Sequence, residues 1–226
     1  MIASIIISII IGSILWLDRT FLFQLMLSRP VIIGCILGFI MKDIKTGLLV
    51  GASLELLWLN DPPVGTYIPQ DDSFCAAVAT PVACTAAMFM PSPPAAGLAL
   101  FISIPTAILG KILDSHIRRS NVRFLHTNHP GKYTADYIDS VMKKAILGAF
   151  FYALLVIGST TIGLCFIVHL IGDSLPDFLE SALSYLPYIS ILIGLAGIVR
   201  SQRSVKTTAF AFCMGISVVI LIRWVH

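Results

Sequence analysis

Charge is the scarcest ingredient of this chain. Only 12% of its 226 residues are Asp, Glu, Lys or Arg, where soluble domains carry about 25%. Together with 57% hydrophobic residues and a mean hydropathy of +0.93, that excludes a soluble globular domain and leaves a polytopic protein of the lipid bilayer. Signatures of catalysis are lacking as well: there is no Walker A sequence, no G-x-S-x-G and no H-E-x-x-H. No basic–aromatic surface offers itself to nucleic acid. The five cysteines (Cys35, Cys75, Cys84, Cys165 and Cys213) are odd in number, scattered, and without a C-x-x-C pair. They point to no disulfide framework and no metal site, and read as small buried apolar residues. No cofactor is implied. The apolar opening lacks a basic flank and an A-x-A-like cleavage site, so it reads as a retained membrane segment and not a signal peptide.

What is present is a series of apolar runs of unequal length. Met1–Leu17 is unbroken and ~25 Å long as a helix, a little short of a ~30 Å hydrocarbon core. Phe21–Leu27 follows as a short apolar piece containing Gln24, and Pro30 opens a helix at the position where its missing N–H costs nothing. Val31–Met41 and Thr46–Leu59 are ~16 Å and ~21 Å long, too short to cross. Ser73–Met90, kinked at Pro81, and Ala95–Leu113, with Pro105 near its middle, are the next expected spans. Ala145–Ile171, Phe178–Val199 broken by Pro187, and Thr207–Trp224 complete the series. The sequence therefore predicts an all-α, polytopic helical membrane protein with discontinuous or re-entrant helices, organised as a single integral membrane domain over 1–226. Residues 111–144 form its one long polar stretch. Lys111, Arg118, Arg119, Arg123, Lys132, Lys143 and Lys144 there outnumber Asp114, Asp136 and Asp139, which assigns it to the cytoplasm.

Gly51–Ser73 departs from this pattern. It begins as apolar helix, carries Glu55, breaks at Asn60-Asp61-Pro62-Pro63 and ends on Asp71 and Asp72. If every earlier run crossed fully, Lys42 and Lys45 would fall outside, against the positive-inside tendency. The conflict disappears if Thr46–Leu59 stops near mid-membrane, as a discontinuous helix does at a transport site. Acids and amides at such a break mark a polar ligand, because an unpaired carboxylate in lipid is costly. Sugar hydroxyls both donate and accept, which suits Glu55, Asn60, Asp71, Asp72 and Gln24, with Trp58 and Tyr67 as aromatic faces. A second reading has Glu55 paired with Arg19 or Arg29 as a fold staple, Arg29 as a helix-end anchor, and Asp71 or Asp72 as a helix cap. His116, His126 and His129 lack neighbours that would activate them for phosphoryl relay.

On these residues the chain resembles the membrane IIC subunit of mannose/sorbose-type sugar phosphotransferase systems. The resemblance runs through Asp18, Phe23-Gln24 and Ser28-Arg29-Pro30-Val31-Ile32. It continues through Gly38, Lys42-Asp43-Ile44-Lys45-Thr46-Gly47 and Gly51-Ala52-Ser53-Leu54-Glu55-Leu56, and ends with Gly65, Pro69-Gln70-Asp71, Ile104-Pro105 and Gly110-Lys111. It covers about Asp18–Arg119 and is mainly hydropathic beyond. Asp61-Pro62-Pro63 intrudes where the family is uncharged, and Pro69-Gln70-Asp71 is one residue looser than the family's Pro-Asp. The chain is also shorter than usual members, which suggests a trimmed C-terminus.

The resemblance implies a multi-pass subunit of the bacterial inner membrane. It would pair with an IID-type membrane subunit and assemble as a trimer of heterodimers. A hexose-type sugar would be carried inward and phosphorylated by a soluble IIB protein that is itself supplied by IIA. This chain would then carry the sugar pathway and no phosphoryl-transfer residue. Two other readings stay open on the residues alone: an ion-coupled secondary transporter using Glu55 and Asp71, and a non-transporting scaffold.

Overall fold

The computed structural model describes residues 1–22, 24–59, 69–126 and 135–201. Eight α-helices account for most of them: α1 (Ile2–Leu17), α2 (Pro30–Ile40), α3 (Ile44–Trp58), α4 (Asp72–Ala86), α5 (Ser92–Ser103), α6 (Thr106–His126), α7 (Ala135–Ile171) and α8 (Asp177–Ser201). There is no strand among the described residues, and the chain is an all-helical membrane protein. By length and composition α7 and α8 can each cross a bilayer, and α5 with α6, bent by 47° at the break between them, has the length and composition of a third span or of a re-entrant pair. Asn60, the Asp61-Pro62-Pro63 insertion, Tyr67, the Thr127–Gly131 turn and the Thr207–Trp224 span lie outside the described residues.

Helix α4 is the axis of the fold. Every residue from Ser73 to Ala86 is buried, and α1, α2, α3, α5, α6 and α7 all pack against it. Its composition permits this: Ala76, Ala77, Ala79, Ala83 and Ala86 let neighbouring backbones approach closely, the usual basis of helix association where lipid removes the hydrophobic drive. Gly12 of α1 meets Ala77 in this way. The helix is 15 residues long, about 22 Å, and ends before the expected limit at Met90. It is a sheathed core element, whereas the longer α7 and α8 are mostly exposed.

Helices α2 and α3 form a tight antiparallel hairpin whose turn is written in Lys42-Asp43. Lys42 takes a left-handed conformation (φ 64°), while the Asp43 N–H reaches back to the Gly38 carbonyl at 2.8 Å and the Lys42 N–H to Phe39 at 3.1 Å. That is the Schellman closure of a helix, with lysine where glycine is usual. Asp43 then caps α3 by accepting from the Thr46 N–H at 3.1 Å. Gly34 and Gly38 on one helix face Gly47 and Gly51 on the other; a Cβ at Gly38 would lie 2.9 Å from the Asp43 carbonyl, and one at Gly34 would strike the Gly47 carbonyl. Both helices are shorter than a bilayer core, as expected of a re-entrant pair.

Two prolines act on their helices in different ways. Ala95–Leu113, with Pro105 near its middle, is divided at Ile104-Pro105 into two helices, α5 and α6. The break satisfies its own carbonyl: Ser103 O accepts from the Thr106 hydroxyl at 2.6 Å and from the Cys75 thiol at 3.3 Å. Conversely, Pro187 does not break α8, which runs continuously from Asp177 to Ser201. A proline inside a helix frees the carbonyl four residues earlier, here Leu183, and Gly97 of α5 lies directly against that oxygen. Close approach of a glycine backbone gives the freed carbonyl a weakly polar neighbour, and no Cβ could be accommodated there. Phe21-Leu22 and Gln24–Leu27 are turn, bend and irregular chain and not helix, with Gln24 (φ 54°) and Met26 (φ 64°) in left-handed backbone.

Candidate functional site

Three polar pieces of chain converge where α1, α3 and α4 have their ends. The turn after α1 contributes Arg19, Ser28 and Arg29; the end of α3 contributes Glu55, Trp58 and Leu59; the approach to α4 contributes Pro69, Gln70, Asp72 and Ser73. Together they line a cavity of about 370 Å³, at the small end of the range for small-molecule sites.

The turn after α1 is built around Asp18. Its carboxylate is buried and accepts the N–H groups of Leu25 at 3.1 Å and Leu27 at 2.9 Å. It thereby holds the two left-handed residues in place and delivers Arg29 to the cavity. Arg29 is the N-cap residue of α2 but supplies no side-chain cap. Glu55 does so from the neighbouring helix: one oxygen accepts from the Val31 N–H at 3.2 Å and the other from the Arg29 guanidinium at 2.9 Å. A carboxylate set against a helix N-terminus and an arginine is stabilised by both the orphan donor and the helix dipole. It also keeps lone pairs for further donors.

Asp71 and Asp72 are adjacent in sequence and separate in role. Asp71 is buried and caps α4 through the Phe74 N–H at 2.9 Å. Its carboxylate also takes the Trp16 indole N–H at 2.7 Å and Arg19 at 3.1 Å, and its own N–H donates to the Ala107 carbonyl at 3.2 Å. Gly110 makes room for this, since a Cβ there would lie 2.6 Å from the Cβ atoms of both Asp71 and Phe74. Asp72 faces the cavity, paired with Arg19. Two carboxylates thus share one guanidinium, which leaves an excess of negative charge beside the neutral Arg29–Glu55 pair. The cavity wall offers cations, carboxylates, an amide, hydroxyls and an indole. Such a set can both donate to and accept from the hydroxyls of a neutral polyol.

The family model for the sorbose-specific IIC component of phosphotransferase systems matches residues 1–224. The chain belongs to this family. It is 21% identical over 183 residues to the mannose-specific EIIC component of Escherichia coli strain K12, covering 78% of this chain and 65% of that protein. It is 25% identical over 176 residues to the fructose permease IIC component of Bacillus subtilis strain 168, covering 76% of this chain and 62% of that one. The sorbose-specific EIIC component of Lacticaseibacillus casei is 26% identical over 187 residues, 79% of this chain and 63% of its own. The chain thus spans less than two thirds of the length of these relatives.

Among solved structures, one described as a membrane protein superposes with a TM-score of 0.70 at 18% identity, covering 97% of this chain and 87% of its own. The mannose transporter ManYZ in complex with microcin E492 gives a TM-score of 0.55 at 17% identity over the same shares. At that identity the likeness is one of fold.

Of the five residues singled out by sequence, Glu55 and Asp72 line the cavity, while Asp71 stands behind it as a cap. Gln24 is exposed in the turn and is not part of the lining. Asn60 lies outside the described residues. Glu55 is paired with Arg29, one of the two partners expected of a fold staple, and that pair forms part of the cavity wall. Gln70, Ser28 and Ser73 were not singled out, although Gln70 stands inside the Pro69-Gln70-Asp71 run. Trp16 carried no sequence signal, because its partner is 55 residues away.

Proposed function

We propose that this chain is the membrane permease subunit of a phosphoenolpyruvate-dependent sugar phosphotransferase system of the bacterial inner membrane. It binds a hexose-type sugar in the Glu55–Asp72 cavity and passes it inward for phosphorylation by a soluble IIB protein. The observation that carries this reading is the cavity itself: the Arg29–Glu55 and Arg19–Asp72 pairs line it together with Gln70 and the Trp58 indole. Carboxylates and arginines supply opposed acceptors and donors for vicinal hydroxyls, and an indole suits the C–H face of a sugar ring. The acids are satisfied before any ligand arrives, so the site is preorganised and does not have to desolvate bare charges on binding.

The chain acts as one integral membrane domain, with residues 111–144 on the cytoplasmic side. It works beside an IID-type membrane subunit, in a trimer of such heterodimers, and receives its phosphoryl donor from the IIA and IIB carriers. Phosphoryl chemistry belongs to those partners, and this chain supplies the pathway.

Uptake assays in cells and vesicles test the proposal. Accumulation as sugar phosphate, dependent on phosphoenolpyruvate and unaffected by a protonophore, is the expected result. Accumulation of unmodified sugar that collapses with the protonophore would overturn it in favour of ion coupling.

A further inference from the structure

Helix α6 carries a second cavity next to the first. Ile108, Lys111, Ile112, Ser115, His116 and Arg119 line it, together with Gln70, and its volume is about 530 Å³. Gln70 also lines the Glu55–Asp72 cavity, so the two spaces meet at that side chain. The lining residues on α6 recur every three or four positions and therefore form one stripe. From Lys111 to Arg119 the stripe extends about 12 Å along the helix axis. It starts beside Gly110, which packs on Asp71, and leads away from the sugar site.

The charge of this second space is of one sign. Lys111 and Arg119 supply full positive charges, and no carboxylate lines the cavity. Asp114, the nearest acid on the same helix, is buried and bonds to Arg118 at 2.8 Å. His116 is held by edge contact with Tyr152 of α7, with ring centroids 5.5 Å apart. The first cavity pairs its arginines with carboxylates, whereas the formal charges lining the second are those of Lys111 and Arg119. Arginine and lysine lining one cleft are the chemistry of phosphate recognition.

We propose that the α6 stripe is a subsite for a phosphate ester, with Lys111 and Arg119 holding the phosphate while Gln70 stays in contact with the rest of the ligand. This rests on the reading of the neighbouring cavity as a sugar site, and makes the ligand that spans both a sugar phosphate. A phospholipid headgroup offers the same phosphate chemistry, so the test separates the two sources.

The complete chain with its membrane partner subunit is placed in phosphatidylcholine nanodiscs and titrated calorimetrically with inorganic phosphate and then mannose 6-phosphate. Inorganic phosphate is expected to bind saturably, to lose at least tenfold in affinity in K111Q/R119Q, and to bind unchanged in E55Q. The charge-retaining K111R/R119K variant is expected to stay within threefold of wild type, which separates lost charge from lost fold. No saturable phosphate binding, or binding that K111Q/R119Q leaves intact, overturns the subsite.

A sugar phosphate ligand predicts that mannose 6-phosphate binds at least tenfold tighter than inorganic phosphate and that E55Q removes this gain. A headgroup ligand predicts no such gain, and competition when phosphatidylglycerol replaces phosphatidylcholine; that result overturns the spanning ligand. If E55Q leaves sugar affinity unchanged while phosphate binding still follows Lys111 and Arg119, the sugar-site reading fails and the anion subsite stands.

Discussion

Arg29 donates to Glu55 at 2.9 Å across 26 positions of sequence, and the same carboxylate accepts the first available N–H of the helix that Arg29 caps. One acid therefore closes the α2–α3 hairpin and forms a wall of the polar cavity. The binding role we propose for it uses the same geometry as its structural one, since a carboxylate held by two donors still presents lone pairs to a third.

Glu55→Gln separates those roles. The amide oxygen can still accept from Arg29 or Val31, so thermal stability should change by no more than about 1 kcal/mol. Sugar affinity should fall at least tenfold, about 1.4 kcal/mol, because the charge-assisted acceptor is gone. Calorimetric titration of a sugar panel beside a thermal-shift series measures both. Unchanged affinity would remove Glu55 from the site.

Asp71→Ala should harm the fold more than a lost cap alone. A missing N-cap costs about 1 kcal/mol, but this change also strips the Trp16 indole and Arg19 of a buried acceptor. A total of about 2–4 kcal/mol is expected, discounted for the partial exposure of Arg19. Asp71→Asn keeps the cap and should retain more than half of that loss in stability. Urea or thermal unfolding in a fixed lipid environment checks the order Ala below Asn below wild type.

Left-handed residues offer the opposite sign. Lys42→Gly and Gln24→Gly each place glycine where φ is 64° and 54°, and each should stabilise by about 0.5–1 kcal/mol. Gln24→Gly should also leave sugar affinity within twofold, since Gln24 is exposed in the turn. A tenfold loss of affinity on that change would restore Gln24 to the site.

Glycine packing can be read against an internal control. A Cβ at Gly47 would lie 2.8 Å from the Gly38 Cα, whereas one at Gly148 or Gly163 of α7 meets nothing within 4 Å. Gly47→Ala should therefore cost about 1–3 kcal/mol by overpacking the hairpin. Gly148→Ala and Gly163→Ala should be neutral or stabilising by up to about 1 kcal/mol. Equal effects at all three positions would mean that the hairpin tolerates separation.

The amino-acid sequence by itself determined the class of the molecule and the place of its polar centre. Scarce charge and unbroken apolar runs leave only a helical bilayer protein, and helices too short to cross locate the discontinuity at α2, α3 and the stretch before α4. Pro30 marks a helix start by local rules alone, because a first-turn proline involves only neighbouring backbone. Pro187 defeated the same local reasoning: whether a freed carbonyl breaks a helix depends on what lies over it, and Gly97 comes from another part of the chain. The tertiary structure alone decided between Asp71 and Asp72. Consecutive side chains at a helix start point in different directions, and α1 arrives with Trp16 and Arg19 on one side of them while Gly110 of α6 presses from another. The buried acid became the cap and the outer one the wall of the cavity, a choice made by packing between segments far apart in sequence.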